Sequence, residues 1–199
     1  NEAANIASVL TVLKETPEID EIIVVNDGSL DETGRIARQC GVQVIDFLVN
    51  QGKGAAIKAG ADAARGDILL FLDADLTGLT VFHVQQLVRP VLWQEEEATV
   101  GIFEGGRHST DWAQALAPFL SGQRALRRYI LDTVGPIDEA GFGVELQIHR
   151  HMKRCGTQPR VVLLNDVSQV MKEEKLGLAK GFAARMKMYW EIIRELPRL

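Results

Sequence analysis

Asp73 and Asp75 stand one residue apart at the end of the apolar run "GDILLFLDADLTG", residues 66–78. Carboxylates are costly to hold beside a core unless something compensates them. On a strand, residues two apart leave the same side. Two oxygens so placed suit a hard divalent ion, Mg2+ or Mn2+, which keeps waters and takes further ligands from substrate phosphates. The structural alternative is an Asp capping a helix at a strand–loop junction. A paired acid at a strand end in a cleft favours the metal.

Other stretches carry chemistry less specifically. In "VVNDGSLDET", Asp27 sits at a strand tip, where it either accepts hydrogen bonds from a nucleobase or belongs to a turn with Asp31 as a cap. "NQGKGAAIKAG" opens a helix with Lys53 after a glycine, like a phosphate loop, but without the spacing of a P-loop. "SGQRALRR" reads as a helix with Ser121, Arg124 and Arg128 on one face. That face is either solvated or captures a phosphate through charge-assisted bonds. Arg107 and Lys175 are further cations in the same half. His149 and His151 are two apart on a helix and cannot share a face to bind a metal.

Positioning these residues takes an alternating pattern of elements. A helix over about Glu2–Lys14 presents Ile6, Val9, Leu10 and Leu13 on one stripe, and "EIIVVND" follows as a strand. A helix near Asp31, the strand "VQVIDF", the alanine-rich helix "GKGAAIKAGADAARG" and the strand "DILLFLDAD" come next. A helix over Val81–Trp93 and the strand "ATVGIFE" complete the first half. This order predicts an α/β fold with a mostly parallel open sheet flanked by helices, and ligands beyond the carboxyl ends of its strands. After residue 105 the pattern changes: helices at "SGQRALRRYIL" and "GFGVELQIHRHMKRCG", a strand at "RVVLL", and a long helix over Leu176–Leu196. The chain reads as one domain over 1–199, with 1–105 for a nucleotide and 106–199 laid over the sheet for a second substrate.

A length of 199 residues, 46% hydrophobic and 25% charged, suits such a soluble domain. The net charge of −5 argues against a general nucleic-acid binder. Cys40 and Cys155, far apart, suggest neither zinc nor a disulfide framework, and a reducing cytoplasm is the expectation. There is no apolar run of ~18 residues that would span a membrane. The stripe Leu178, Phe182, Met186, Tyr189 and Ile193 suits core packing or, alternatively, a peripheral position on the inner face of a membrane.

Taken in order, "NEAANI", "VVNDGSLDET", "NQGKGAAIKAG", "GDILLFLDADL", "SGQRALRR" and "GFGVELQIHRHMKRCG" resemble the family 2 glycosyltransferases of the GT-A fold over nearly the whole chain. Within that family the likeness is greatest to dolichyl- and polyprenyl-phosphate hexosyltransferases, in which an Arg after the acid pair, an SG(F)R helix and a late Lys recur, as Arg107, "SGQR" and Lys175 do here. The resemblance implies transfer of a hexose from a UDP- or GDP-sugar, with Mg2+ or Mn2+, to an acceptor such as a polyprenyl phosphate. It implies donor contacts for Glu2, Val25, Asp27, Lys53, Asp73 and Ala74, and metal contacts for Asp73, Asp75 and, as a neutral and weaker ligand, Gln169. It places Arg107 at the sugar or phosphates, and Lys175, with Ser121, Arg124 and Arg128, at the acceptor. Glu145 is the candidate base if the acceptor is a hydroxyl such as that of phosphoglycerate; a phosphate acceptor needs none.

Three departures from the family pattern stand out. The family's first strand precedes the segment matching Asn1, so the sheet is expected to lack a central strand. Many relatives carry a third metal ligand, His, where this chain has Gln169, and the Gln that helps in some others is here Thr77. Two rival classes remain at this stage. "FLDADLT" also fits the nucleophile strand of a haloacid-dehalogenase-type phosphatase, with Asp73 attacking phosphate, although the later acidic pair of that family is missing. Gln169 also leaves room for a catalytically silent nucleotide-binding module. Oligomeric state is left open.

Overall fold

The computed structural model describes residues 1–104, 121–137 and 143–169. Arg107, Lys175, the Leu178–Ile193 stripe and the 176–196 helix lie outside them. The amphipathic stripe of the first helix, α1 (Ile6–Glu15), buries Ile6, Val9 and Leu10. β1 (Ile23–Asp27), α2 (Thr33–Gln39), β2 (Gln43–Phe47) and α3 (Lys53–Ala63) follow, and β1 pairs with β2 in parallel. Next come β3 (Ile68–Phe71), the two-residue β4 (Leu76–Thr77), α4 (Val81–Leu92) and β5 (Ala98–Glu104). Thr80 caps α4, accepting the His83 N–H at 3.4 Å, and the helix buries Val84, Leu87, Val88 and Val91. β6 (Arg124–Arg127), α5 (Arg128–Thr133), α6 (Val144–Arg154), β7 (Arg160–Asn165) and β8 (Ser168–Gln169) complete the described chain.

Two sequence expectations need correction. Residues 124–127 of "SGQRALRR" form a strand, not a helix. β6 lies between β3 and β5, antiparallel to both, and buries Ala125 and Leu126 completely. Its backbone is hydrogen-bonded on both edges and its side chains are enclosed, which outweighs a weak local helix preference. Ser121, Arg124 and Arg128 therefore share no helical face. β3 also stops at Phe71, so Asp73 and Asp75 lie in the turn leading to β4 and not on a strand.

The larger sheet has the order β3-β6-β5-β7, with β5 and β7 parallel, so it is mixed. No strand pairing joins it to β1-β2 among the described residues. Helices nevertheless bridge the two sheets on both faces. Leu13 of α1 packs against the cluster containing Ile22 and Val24 and against the one containing Ile68 and Leu70. On the opposite face, Ile57 and Ala61 of α3 pack with Leu69 and Phe71, while a Cβ on Gly60 would lie 3.3 Å from Val25. Every residue of β1 is half-buried.

Candidate active site

The ends of β1 and β3 and the first turns of α3 and α6 meet at one edge of the sheets. Lys53, the first residue of α3, places its Nζ 2.9 Å from Asp73 Oδ1 and 2.6 Å from Glu145 Oε1. A cation at a helix N-terminus opposes the helix dipole, whereas Glu145 in the first turn of α6 suits it. The two carboxylates compensate Lys53. Burial works against its charge, but Asp73 and Glu145 outweigh burial and hold the ammonium protonated well above the usual lysine range. Burial likewise opposes charge on Asp73, and Lys53 with two amide donors more than offsets it, keeping the carboxyl below its usual range.

Those amides belong to Gln123 and Gln169. Gln123 Nε2 donates to Asp73 Oδ2 at 2.8 Å, and Gln169 Nε2 donates to the same oxygen. The Gln123 amide is held in its turn, because Oε1 lies 2.9 Å from the Ser121 hydroxyl, which also reaches the Gly101 carbonyl. Gln169 is positioned by the β4–β8 ladder, in which it faces Leu76 and Ser168 faces Thr77. The Thr77 and Ser168 hydroxyls, 2.8 Å apart, tie the same two strands together. Asp75 is half-buried in the turn between Asp73 and β4.

Other predicted residues divide into those the site gathers and those it does not. Asp27 stands at the end of β1, yet its carboxylate accepts from Gln51 N–H at 2.6 Å, Asn50 Nδ2 at 2.9 Å and Gly52 N–H at 3.0 Å. It thereby pins the loop that launches α3. Gly28 permits this closeness: its φ is 69°, and a Cβ there would lie 2.5 Å from the Asn50 nitrogen. Glu2 begins the turn into α1, its N–H donating to Thr33 Oγ1 at 2.7 Å. Val25 faces α3, and Ala74 packs on the cluster containing Ile6 and Leu10. Ser121 is buried in the Gln123 network. Arg124, also buried, donates from Nη1 to the Glu145 carbonyl at 3.4 Å and from Nη2 to the Ser121 carbonyl. Arg128 is taken up elsewhere, donating to the carbonyls of Ala64, Gly66 and Ala61 at 2.7, 2.8 and 2.9 Å.

Sequence reasoning missed Gln123 and Gly122. A Cβ on Gly122 would lie 2.5 Å from Lys53 Nζ and 2.7 Å from Asp73 Oδ2. The signal was present in "SGQR", but reading it as a helix turned attention to its arginines.

A carboxylate turn beyond a strand end, with a cation at a facing helix terminus, can hold a phosphorylated ligand and a divalent ion. The chain is 31% identical over 161 residues to an uncharacterized glycosyltransferase of a Nostoc species, covering 66% of this chain and 49% of that one. It is 43% identical over 67 residues to a dolichyl-phosphate beta-glucosyltransferase of Trichomonas vaginalis, covering 31% and 20%. The chain thus spans about half or less of the curated relatives it matches. Among solved structures, glucosyl-3-phosphoglycerate synthase from Mycobacterium tuberculosis in complex with Mn2+, UDP-glucose and phosphoglyceric acid superposes with a TM-score of 0.70 at 27% identity, over 92% of this chain and 75% of that one. Residues 1–142 match the profile of Glycosyl transferase family 2, and the chain belongs to that family.

Proposed function

We propose that this chain is the catalytic part of a metal-dependent hexosyltransferase that takes its sugar from UDP-glucose or a related nucleotide sugar. The observation that carries this reading is the convergence of Asp73, Asp75, Lys53 and Glu145 at the strand ends. It is supported by neighbours crystallised with UDP and Mn2+ or Mg2+. The donor set suits a divalent cation shared with a diphosphate: Asp75 would hold it, and Asp73 and Gln169 lie beside it. When bound, such a cation stabilises the charge gathering on the departing diphosphate. Lys53 adds a fixed positive charge at the same edge, already oriented by two carboxylates and needing no reorganisation. Family membership leaves the phosphatase reading of Asp73 without support.

For the acceptor, the structural likeness favours a small phosphorylated hydroxy acid, the phosphoglyceric acid of the neighbouring complexes. Glu145 is then the base candidate, although its pairing with Lys53 also suits a purely positioning role. The dolichyl-phosphate relative favours a polyprenyl phosphate, with Lys175 as the contact expected for it. Asp75→Asn is expected to abolish glucose transfer and the Mn2+-dependent part of UDP binding. Unchanged Mn2+-dependent UDP affinity, measured by calorimetry, would remove Asp75 from the site. Assay of 3-phosphoglycerate against a short polyprenyl phosphate separates the two acceptors. Glu145→Gln should inactivate the enzyme towards the hydroxyl but spare transfer to the anionic phosphate.

A further inference from the structure

α6 ends at Arg154, and Gly156, with φ at 76°, turns the chain back as the Thr157 N–H closes onto the Met152 carbonyl at 2.9 Å. Between that last turn, the 157–159 segment and the strands β5, β6 and β7 lies a cavity of about 290 Å3. Its floor is buried at Val100, Arg124 and Leu126, and its rim is exposed at Lys153 and Val161. Among the described residues no carboxylate lines it, although the chain carries a net charge of −5. The ionisable groups on its wall are Arg124, His149 and Lys153, all basic. Burial lowers the Arg124 pKa by more than the attraction of Glu145 and Asp73 restores. A guanidinium stays charged all the same, so its burial costs free energy that an anion beside it would offset. After burial, it is the fields of Arg124 and Lys153 that lower the His149 pKa, so the three basic groups share one positive field.

We propose that this cavity is a second binding site, for a small organic anion with an acidic head and an apolar body. The head meets Arg124, His149 and Lys153, and the body lies on Val100, Leu126 and Val161. Apolar walls with a few convergent polar groups are the usual make-up of a ligand site, and the volume, at the lower end of the usual range of about 300–1,000 Å3, suits a ligand of few atoms. Asp73, Asp75, Lys53 and Glu145 are not among the residues lining the cavity, so it stands apart from the candidate active site. Arg124 joins the two. It donates to the Glu145 and Ser121 carbonyls, while Glu145 Oε1 holds Lys53 and the Ser121 hydroxyl holds Gln123. For the nucleotide the proposal rests on the glycosyltransferase reading. An anion in the cavity offsets the Arg124 charge and draws the guanidinium from the two carbonyls, which disfavours an anionic nucleotide beside Lys53. Each ligand then weakens the other by the same factor.

The experiment is a calorimetric titration of the wild-type chain with sodium hexanoate, set against acetate, inorganic phosphate and hexanol. Hexanoate should bind saturably and at least about tenfold tighter than acetate, since its longer chain buries more apolar surface. Binding no tighter than that of acetate, inorganic phosphate or hexanol overturns the proposal. Two variants locate the site, and both change exposed side chains that the fold does not need. Val161→Trp, which fills the mouth, should abolish hexanoate binding, and Lys153→Glu should weaken it at least about threefold, as expected for an exposed charge. Unchanged affinity in either folded variant overturns the assignment to this cavity. With Mn2+ present, saturating hexanoate should raise the Kd of UDP at least about fivefold, within the usual range of coupling between sites. Hexanoate binding with an unchanged UDP Kd overturns the link through Arg124. If UDP fails to bind at any Mn2+ concentration, the glycosyltransferase reading falls, while the hexanoate titrations still decide the cavity.

Discussion

The Asp73–Lys53 pair depends on Gly122 as much as on its own charges. The backbone of "SGQR" passes so near that a methyl group would fall within contact of both partners. Lys53 Nζ is the far end of a flexible side chain and can withdraw, while Asp73 is fixed by the turn and two amides. Gly122→Ala is therefore expected to break the ion pair before it breaks the fold. The kcat/KM for glucose transfer should fall at least tenfold, about 1.4 kcal/mol of transition-state stabilisation, with the urea midpoint little changed. Parallel losses of activity and stability would instead make Gly122 a folding residue. The paired acids announced this part of the site in the sequence, because few structural roles put two carboxylates after five apolar residues. The glutamines did not, since an amide is unremarkable until its partner is seen. Asp27 was legible as a strand-tip acid, but its structural use, holding the 50–52 loop, depends on a contact between segments far apart in sequence.

At the level of elements, the alternation of strands and helices over the first half was legible from apolar periodicity, and β1, β2 and α4 fall where it places them, while β3 stops at Phe71, short of the acids. β6 was not. Ala125-Leu126 flanked by arginines suits a helix surface as well as an enclosed strand, and only the vacancy between β3 and β5 decides. That decision redirects Arg128. At the strand-to-helix junction between β6 and α5, its guanidinium reaches three carbonyls in and just beyond the last turn of α3, where orphan acceptors and the negative end of the dipole favour a cation. A hydrogen bond to a charged group contributes about 1.5–3 kcal/mol, and partial exposure here reduces the sum. Arg128→Ala should cost about 1–3 kcal/mol in chemical denaturation and leave the acceptor KM unchanged, with Arg128→Lys restoring only part. A raised acceptor KM at constant stability would return Arg128 to the acceptor site that its sequence position suggested.

Among the described residues, Lys53 pairs with Asp73 and Glu145 at the candidate site, and the buried Arg124 stands beside them. α6 runs from that site into the body of the protein, and His149 lies along it, half-buried. Burial disfavours its charged form, and the fields of Arg124 from β6 and Lys153 on its own helix act in the same direction, so its folded pKa is lowered. Burial lowers that of His83 as well, against the pull of Asp166. In the unfolded chain both titrate near the ordinary value of about 6.5. Below that pH the unfolded state binds more protons than the folded one, so stability rises with pH there. The stability these two groups contribute is thus fully present above about pH 6.5 and is lost as pH falls through their lowered folded values. The urea midpoint of the wild-type chain should decline between neutral and mildly acid pH, before carboxylates titrate. His149→Gln, which keeps a polar side chain of similar reach and cannot charge, should flatten that decline while leaving the midpoint at neutral pH nearly unchanged. Identical pH profiles for the two proteins would mean that His149 meets a compensating charge on protonation and does not couple folding to acidity.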